Sequence, residues 1–424
     1  MNRIHVHYDD TKPKKEKFTC KRENLTIKGM QYLCEFEKGR KLPAVIASHG
    51  FTDNYTGMEV YCEALCREGY AAFCFSFCGG GSIGEAPEVH SDGDSRDMSL
   101  FSEVEDLCAV IDYVKSLDYI DGERITLLGA SQGGFVSGIA AARCQEGLSS
   151  TDKGFSIEKL VMLYPALCIP DHARRGCLGG ANYDVENVPG EIRCRRTVLG
   201  KGFHEEACGM DAFLELTGYK GPVLIIHGSE DSIVGYAYSM RARDSYEKGQ
   251  CALQIFRDMG HGSDETQTAS VIASIRQFLA GRREILTFQI LITHTEVTSQ
   301  GNETHSDIYF TGYCDSPCFR GTIIPEGIDR RVSQDGVTRS VRAEYAFDGI
   351  DTDGERCRLQ VVNQWGDKDW KPVIITDSKK LSWLNRADLT AVLEEGRHGL
   401  TVRIFAGPGH IRAGNQLPAV TGEK

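Results

Sequence analysis

Between residues 18 and 283 the chain alternates short apolar runs with segments whose apolar residues recur every three or four positions. Short continuous or alternating apolar runs fit strands, and recurrence near 3.6 fits helices that bury one stripe. A strand pair is predicted around FTCKREN and LTIKGMQYLCEF, then a buried strand, KLPAVIAS, ending at the turn His49-Gly50. Helical spacing (Met58, Val60, Leu65) precedes the strand AAFCFSF. In SLFSEVEDLCAVIDYVKSL the residues Phe101, Val104, Leu107, Val110, Ile111 and Val114 share one helical stripe. The strand RITLLGA, the small-residue helix GGFVSGIAAARC and the strand KLVMLYPAL continue the alternation. GPVLIIHGSED, a helix near 236–248, the strand CALQIFRDMG and a last helix at 266–280 complete it. Strands separated by helices need crossover connections, so an α/β fold with a mainly parallel, doubly wound sheet is expected.

Two departures divide the chain. Residues 168–217 are rich in Gly, Arg and charge and show no strong strand. An insertion of that kind inside a regular pattern reads as a cap over the carboxyl ends of the strands. After GRRE (281–284) the period changes to two: Val341, Ala343, Tyr345 and Phe347 alternate with Arg342, Glu344 and Asp348. With ILTFQILITHTEV, GTIIPEG, RLQVVNQW, KPVIITD and LTVRIFAG, this predicts a C-terminal all-β barrel domain over 285–424, following a first domain over 1–283.

Composition narrows the function classes. A net charge of −12 argues against a nucleic-acid partner, and residues 12–17 read as a short solvated basic tail. No apolar run approaches the ~18 residues that span a bilayer. The N-terminus MNRIHVHYDDTKPKKEKF lacks the apolar core of a signal peptide. A cytoplasmic protein without a membrane partner is expected. The 16 cysteines are scattered in apolar patterns without CxxC or zinc-site spacing, so they read as reduced thiols, Cys314 and Cys318 being the likeliest pair to depart from this.

The pattern G-x-S-x-G arises easily in a chain with 46 glycines, and here it occurs twice. A nucleophilic serine must sit on a tight strand-to-helix turn. Ser131, in Gly129-Ala130-Ser131-Gln132-Gly133, follows RITLLGA and precedes a helix; Ser82, in Gly80-Gly81-Ser82-Ile83-Gly84, precedes a loop containing Pro87. Ser131 is therefore the candidate nucleophile. Its hydroxyl needs a base, and the base an orienting carboxylate. His261 ends LQIFRDMG, and Asp231 follows GPVLIIHG, ahead of Glu230, Asp258 and Asp264 as alternatives. His227 lies within a strand, His49 before a Gly turn and His204 in the insertion. The backbone N–H groups of Gln132 and Phe51 are the expected oxyanion donors.

Taken together, HGF, GASQGG, HGSED-SIV and MGHG, in this order, resemble bacterial cinnamoyl (feruloyl) esterases of the α/β-hydrolase superfamily over roughly residues 18–283. The resemblance implies an αβ cap whose polar residues hold the phenolic end of a hydroxycinnamate, with Asp171 in that role and Phe203 and His204 at aromatic positions of the pocket. Cys78-Gly79-Gly80-Gly81-Ser82 stands where the family carries an Asn-Gly-His-Gly-like loop, a departure that bears on the acyl pocket. The C-terminal region loosely resembles an uncharacterised small β-barrel family of bacteria. The expectation is a cofactor-free, metal-free serine esterase acting on a small-molecule ester, such as a feruloyl or p-coumaroyl ester, through an acyl-Ser131 intermediate. An acyl-aminoacyl peptidase or an acyltransferase is the alternative on the same fold. The barrel is expected to dock on the hydrolase or to form a homodimer.

Overall fold

The computed structural model describes residues 12–410 except 38, 83–85, 147–155, 367–368 and 398. They form two compact units, Thr11–Ser263 and the chain from Asp264 onward.

The first unit carries strands β1 (Lys14–Arg22), β2 (Leu25–Leu33), β3 (Leu42–Ser48), β4 (Ala71–Phe75), β5 (Ile120–Ala130) and β6 (Lys159–Leu163). Within the insertion, β7 (Glu191–Arg193) and β8 (Val198–Gly200) pair only with each other, and β9 (Val223–Gly228) and β10 (Cys251–Phe256) return to the main sheet. Its order is β1-β2-β4-β3-β5-β6-β9-β10. From β4 to β10 the strands run parallel, while β1 and β2 are antiparallel additions at one edge. β3, β4 and β9 are buried along their whole length, as strands covered on both faces must be. The chain steps from β3 outward to β4 and then crosses back to β5 on the other side of β3. The carboxyl ends of β3 and β5 therefore flank the point where strand order reverses, the place where open α/β sheets bind ligands.

The helices of this unit are α1 (Glu59–Arg67), α2 (Leu100–Ser116), α3 (Gln132–Glu146), α4 (Ile169–Arg174), α5 (Lys201–Gly209) and α6 (Ala237–Ser245). α2 starts at a capping box made by Ser99 and Ser102 and buries Val104, Leu107, Val110, Ile111 and Val114, as the stripe predicts. Phe101 is only half-buried, and the same face buries two acids, Glu103 and Asp106. Asp106 accepts from Arg22 Nε (2.6 Å) and from the Cys78 backbone N–H (2.8 Å), which ties β1 and the loop after β4 to α2. Residues 14–17 are not a solvated tail: they open β1, where Lys15 pairs with Glu63 and Glu59 of α1.

The second unit opens with α7 (Glu265–Leu279), capped by Asp264. Nine strands follow: β11 (Arg283–Gln300), β12 (Glu303–Ser316), β13 (Phe319–Ile323), β14 (Gly327–Gln334), β15 (Val337–Asp351), β16 (Arg356–Trp365), β17 (Trp370–Thr376), β18 (Leu389–Gly396) and β19 (Gly399–Ala406). They are antiparallel, in the order β11-β19-β18-β17-β16-β15-β13-β12, and β12 pairs again with β11. An eight-strand barrel is thereby closed, with β14 adding a second bridge between β12 and β15. Phe288, Phe319, Phe347, Leu359 and Ile404 pack its core. β12, β14 and β18 fall outside the strand-like runs read from the sequence. The division between units also lies at Asp264 rather than at 283–285. α7 is bound to the barrel strands: Ser270 Oγ donates to Leu393 O (2.8 Å), Thr390 Oγ1 to Gln277 Oε1 (2.6 Å), and Gln277 Nε2 to Asp369 (3.2 Å). Among the described residues no helix is long and apolar enough to cross a membrane.

Candidate active site

The turn between β5 and α3 places Ser131 in the left-handed region, at φ 54°. Such strain in a non-glycine residue persists only where its surroundings enforce it. The flanking glycines are required sterically. A Cβ on Gly129 would lie 2.2 Å from Gly133 O, and one on Gly133 would lie 2.3 Å from His49 O. The pattern G-x-S-x-G is thus the imprint of a backbone that doubles back on itself beside the end of β3.

At the carboxyl edge of the sheet, Ser131 Oγ lies 2.8 Å from His261 Nε2, and His261 Nδ1 lies 2.7 Å from Asp231 Oδ2. Asp231 is buried, and its Oδ1 accepts from the N–H groups of Ile233 (2.9 Å) and Val234 (2.8 Å). His227 Nε2 stands 3.1 Å from Asp231 Oδ2 and 2.8 Å from Val234 O, while its Nδ1 meets Ser239 Oγ at 2.7 Å. Burial opposes the charge of Asp231, but the hydrogen bonds from His227, His261 and Val234 outweigh it and hold the carboxyl well below the usual range. An ionised Asp231 keeps the proton of His261 on Nδ1, which leaves Nε2 to accept from Ser131.

The other acids and histidines weighed from the sequence stand elsewhere. Glu230 is exposed, and Asp264 caps α7. His49 is buried, with Nδ1 2.8 Å from Gly50 O and Nε2 accepting from Phe77 N–H (3.1 Å). Ser82 Oγ donates to Thr52 O (2.6 Å), which pins the loop after β3; Ile83 and Gly84 lie outside the described residues.

Gln132 is the first residue of α3, where helix geometry leaves its N–H without an intrahelical acceptor. The loop carrying Phe51 lies against the serine, since a Cβ on Gly50 would sit 3.1 Å from Ser131 Cβ. The cap reaches this loop too: a Cβ on Gly179 would be 2.8 Å from the Phe51 ring. Asp171, on α4, is half-exposed; its Oδ2 accepts from Tyr238 Oη (2.8 Å) and its Oδ1 from Arg174 (3.0 Å). Burial pushes the nearby Cys168 thiol up to about 12, with Asp231 and Asp171 both adding to it. Phe203 is buried in the core of the unit, and His204 Nδ1 is bonded to Tyr183 Oη (2.8 Å). Neither belongs to the hydrogen-bonded chain around Ser131.

Two residues escaped the sequence reading. Tyr164, just after β6, has φ 37°, and its ring meets the His261 ring edge-on at 4.9 Å. Glu103 of α2 accepts from the Gln132 side chain (2.9 Å) in full burial, which pushes its carboxyl up to about 8 against the opposing Gln132 bond. All 16 cysteines are free thiols; Cys314 contacts Ser316 and Cys318 donates to Ile285 O. Among the described residues no group of three or more His, Cys, Asp or Glu could hold a metal ion.

Residues 56–146, which run from before α1 through Ser131 to the end of α3, match the profile of the prolyl oligopeptidase family, peptidase S9. Two structures of Est1E from Butyrivibrio proteoclasticus, one described as having ferulic acid bound, superpose with TM-scores of 0.54 and 0.52 at 27% and 26% identity. Each covers 62% of this chain and 98% of its own. The first unit has the α/β-hydrolase fold. The hydrolase GrgF from Penicillium sp. sh18 superposes at TM-score 0.48 and 16% identity, over 63% of this chain and 98% of its own. No curated protein matches. Profile and structural likeness together support a serine hydrolase, with the β-barrel as a second unit of the chain.

Proposed function

We propose that this α/β-hydrolase is a carboxylic-ester hydrolase cleaving hydroxycinnamoyl or related aromatic acyl esters. Ser131 Oγ attacks the acyl carbon as His261 Nε2 takes its proton. The oxyanion is held by the N–H groups of Phe51 and Gln132, and His261 then protonates the departing alcohol. Water, deprotonated by the same nitrogen, attacks acyl-Ser131 to release the acid and restore the hydroxyl. The observation that carries this reading is the unbroken hydrogen-bond chain Ser131–His261–Asp231 at the reversal of strand order. The aromatic acyl preference rests on the likeness to Est1E and on the polar pair Asp171 and Tyr238 in the neighbourhood of the cap.

Turnover of methyl ferulate and of p-nitrophenyl acetate tests it in the wild type and in Asp171→Ala. Losing one hydrogen-bonding partner of the phenol should lower kcat/KM for the ferulate by about 1–3 kcal/mol and leave the acetate nearly unchanged. Equal losses on both would make Asp171 a support for Tyr238 and Arg174 alone. The prolyl oligopeptidase profile favours a second reading, an acyl-aminoacyl peptidase. Faster release from N-acyl aminoacyl anilides than from methyl ferulate would select it.

A further inference from the structure

The lumen of the barrel holds a cavity of about 480 Å³, open mouth included, to which seven of the eight ring strands and β14 contribute inward residues. Its enclosed space, about 40 Å³ for the centre of a water-sized group, exceeds the ~10–15 Å³ that one water needs. An eight-strand barrel is either filled by its own side chains or just wide enough for one small ligand. Here one stretch of the lumen is filled by Phe288, Phe319 and Phe347, whose rings contact one another (centroids 4.6 and 6.2 Å). The other is walled by a set that includes Ile290, Phe310, Leu393 and Val402.

Three charged or amide side chains, Asp329, Arg331 and Asn363, interrupt this wall, and their arrangement is specific. Asp329, Ala343 and Asn363 stand in one cross-strand row over β14, β15 and β16. Both polar members are buried, Asn363 to 3% exposure and Asp329 to 9%, and both line the cavity. Arg331 occupies Asp329 Oδ2 through two hydrogen bonds (2.9 and 2.8 Å), so the pair carries no net charge. Asp329 Oδ1 and Asn363 Oδ1 have no hydrogen-bond partner. A buried acceptor without a donor costs about 1–3 kcal/mol, and two of them flank the smallest side chain of the wall.

We infer that the barrel lumen is a binding site for a small, neutral, mostly apolar alcohol or phenol, whose hydroxyl sits over Ala343 and donates to Asn363 Oδ1. Asp329 Oδ1 accepts a second donor where the ligand has one. Neutrality follows from the compensated Asp329–Arg331 pair: a cationic head would meet Arg331 and an anionic head Asp329. An apolar body follows from the wall, and a donor from the two acceptors. This site is separate from Ser131 and does not rest on the esterase reading.

The three tryptophans of the chain, Trp365, Trp370 and Trp383, all belong to the barrel unit; Trp370 lines the cavity and meets Trp365 edge-on at 5.3 Å. Selectively excited tryptophan emission therefore reports on the lumen and not on the hydrolase. In the full-length protein, 4-ethylphenol should change this emission saturably. Its methyl ether, 4-ethylanisole, should bind about tenfold more weakly, the scale of one lost hydrogen bond. Asn363→Leu should erase that preference, and Ala343→Phe, which fills the cavity, should abolish binding of both. The inference is overturned by the absence of a saturable change, by equal binding of phenol and ether, by a preference that survives Asn363→Leu, or by binding that survives Ala343→Phe. The comparison of the two ligands is made on the unaltered chain, so it decides the matter even where a variant fails to fold.

Discussion

Two sites, one in each unit, treat their buried polar side chains in opposite ways. At the carboxyl edge of the hydrolase sheet, Asp231 is saturated by His261, Ile233 and Val234, with His227 beside it, and His261 in turn faces Ser131. In the barrel, Arg403 is paired with Glu284 (3.1 Å) and Glu394 (3.0 Å), but Asp329 and Asn363 in the lumen keep an acceptor without a donor. A closed hydrogen-bond chain fixes tautomer and orientation, which a proton transfer requires. An open acceptor is a place for something that arrives from outside. The comparison teaches that satisfaction, and not burial alone, separates a reacting site from a receiving one.

Breaking the closed chain should have the largest effect. Ser131→Ala should lower ester turnover by roughly four to six orders of magnitude, because nucleophile and base act as a unit. His261→Ala should come close to that, and Asp231→Asn should lose somewhat less; steady-state kinetics on p-nitrophenyl acetate measures all three. The buried ion-pair cluster of the barrel should answer in stability instead. Arg403→Met leaves Glu284 and Glu394 without their common partner, and removing one side of a buried ion pair costs about 3–5 kcal/mol. Urea unfolding followed by tryptophan emission reads it directly.

Glu103 sharpens the contrast within the hydrolase, because its carboxyl is buried against a single amide. Its ordinary value is 4.5 and burial raises it to about 8 in the folded chain. Between those values the folded state holds a proton that the unfolded state has released, so the stability it confers is full below 4.5 and falls as pH rises to about 8. Glu103→Gln should flatten this slope in unfolding midpoints taken across that window. Asp231, held low, works in reverse: its contribution is present above 3.8 and is lost as pH falls. The smallest effect is expected at Ser82, whose hydroxyl donates to Thr52 O. Ser82→Ala should leave turnover within a few-fold of wild type.

The hydrolase core was legible because its signals are local. The continuous apolar runs of β3 and β9 and the small-residue turn around Ser131 each lie within a few positions of one another. Glu103 was not legible, since its partner Gln132 is 29 residues away and an acid on a helix reads as solvated. The barrel strands that escaped detection are informative for the same reason. β14 carries Asp329 and Arg331 on its inward side, and β18 buries Glu394 on the face opposite its lumen residue Leu393, so buried polar residues break the alternation that marks a half-buried strand. β12 reads as polar because its inward Ile308 and Phe310 are flanked by His305, Ser306 and Asp307. The helix α7 was recognised as a helix, but an apolar stripe does not say which unit it serves; the bonds from Ser270 and Gln277 do.

The most direct test of Ser131 as nucleophile is covalent labelling of the full-length protein by a fluorophosphonate, with the modified peptide located by mass spectrometry. One adduct per chain is expected, on Ser131, formed in step with the loss of esterase activity and absent from Ser131→Ala. An adduct on Ser82, or full esterase activity in Ser131→Ala, would contradict the account.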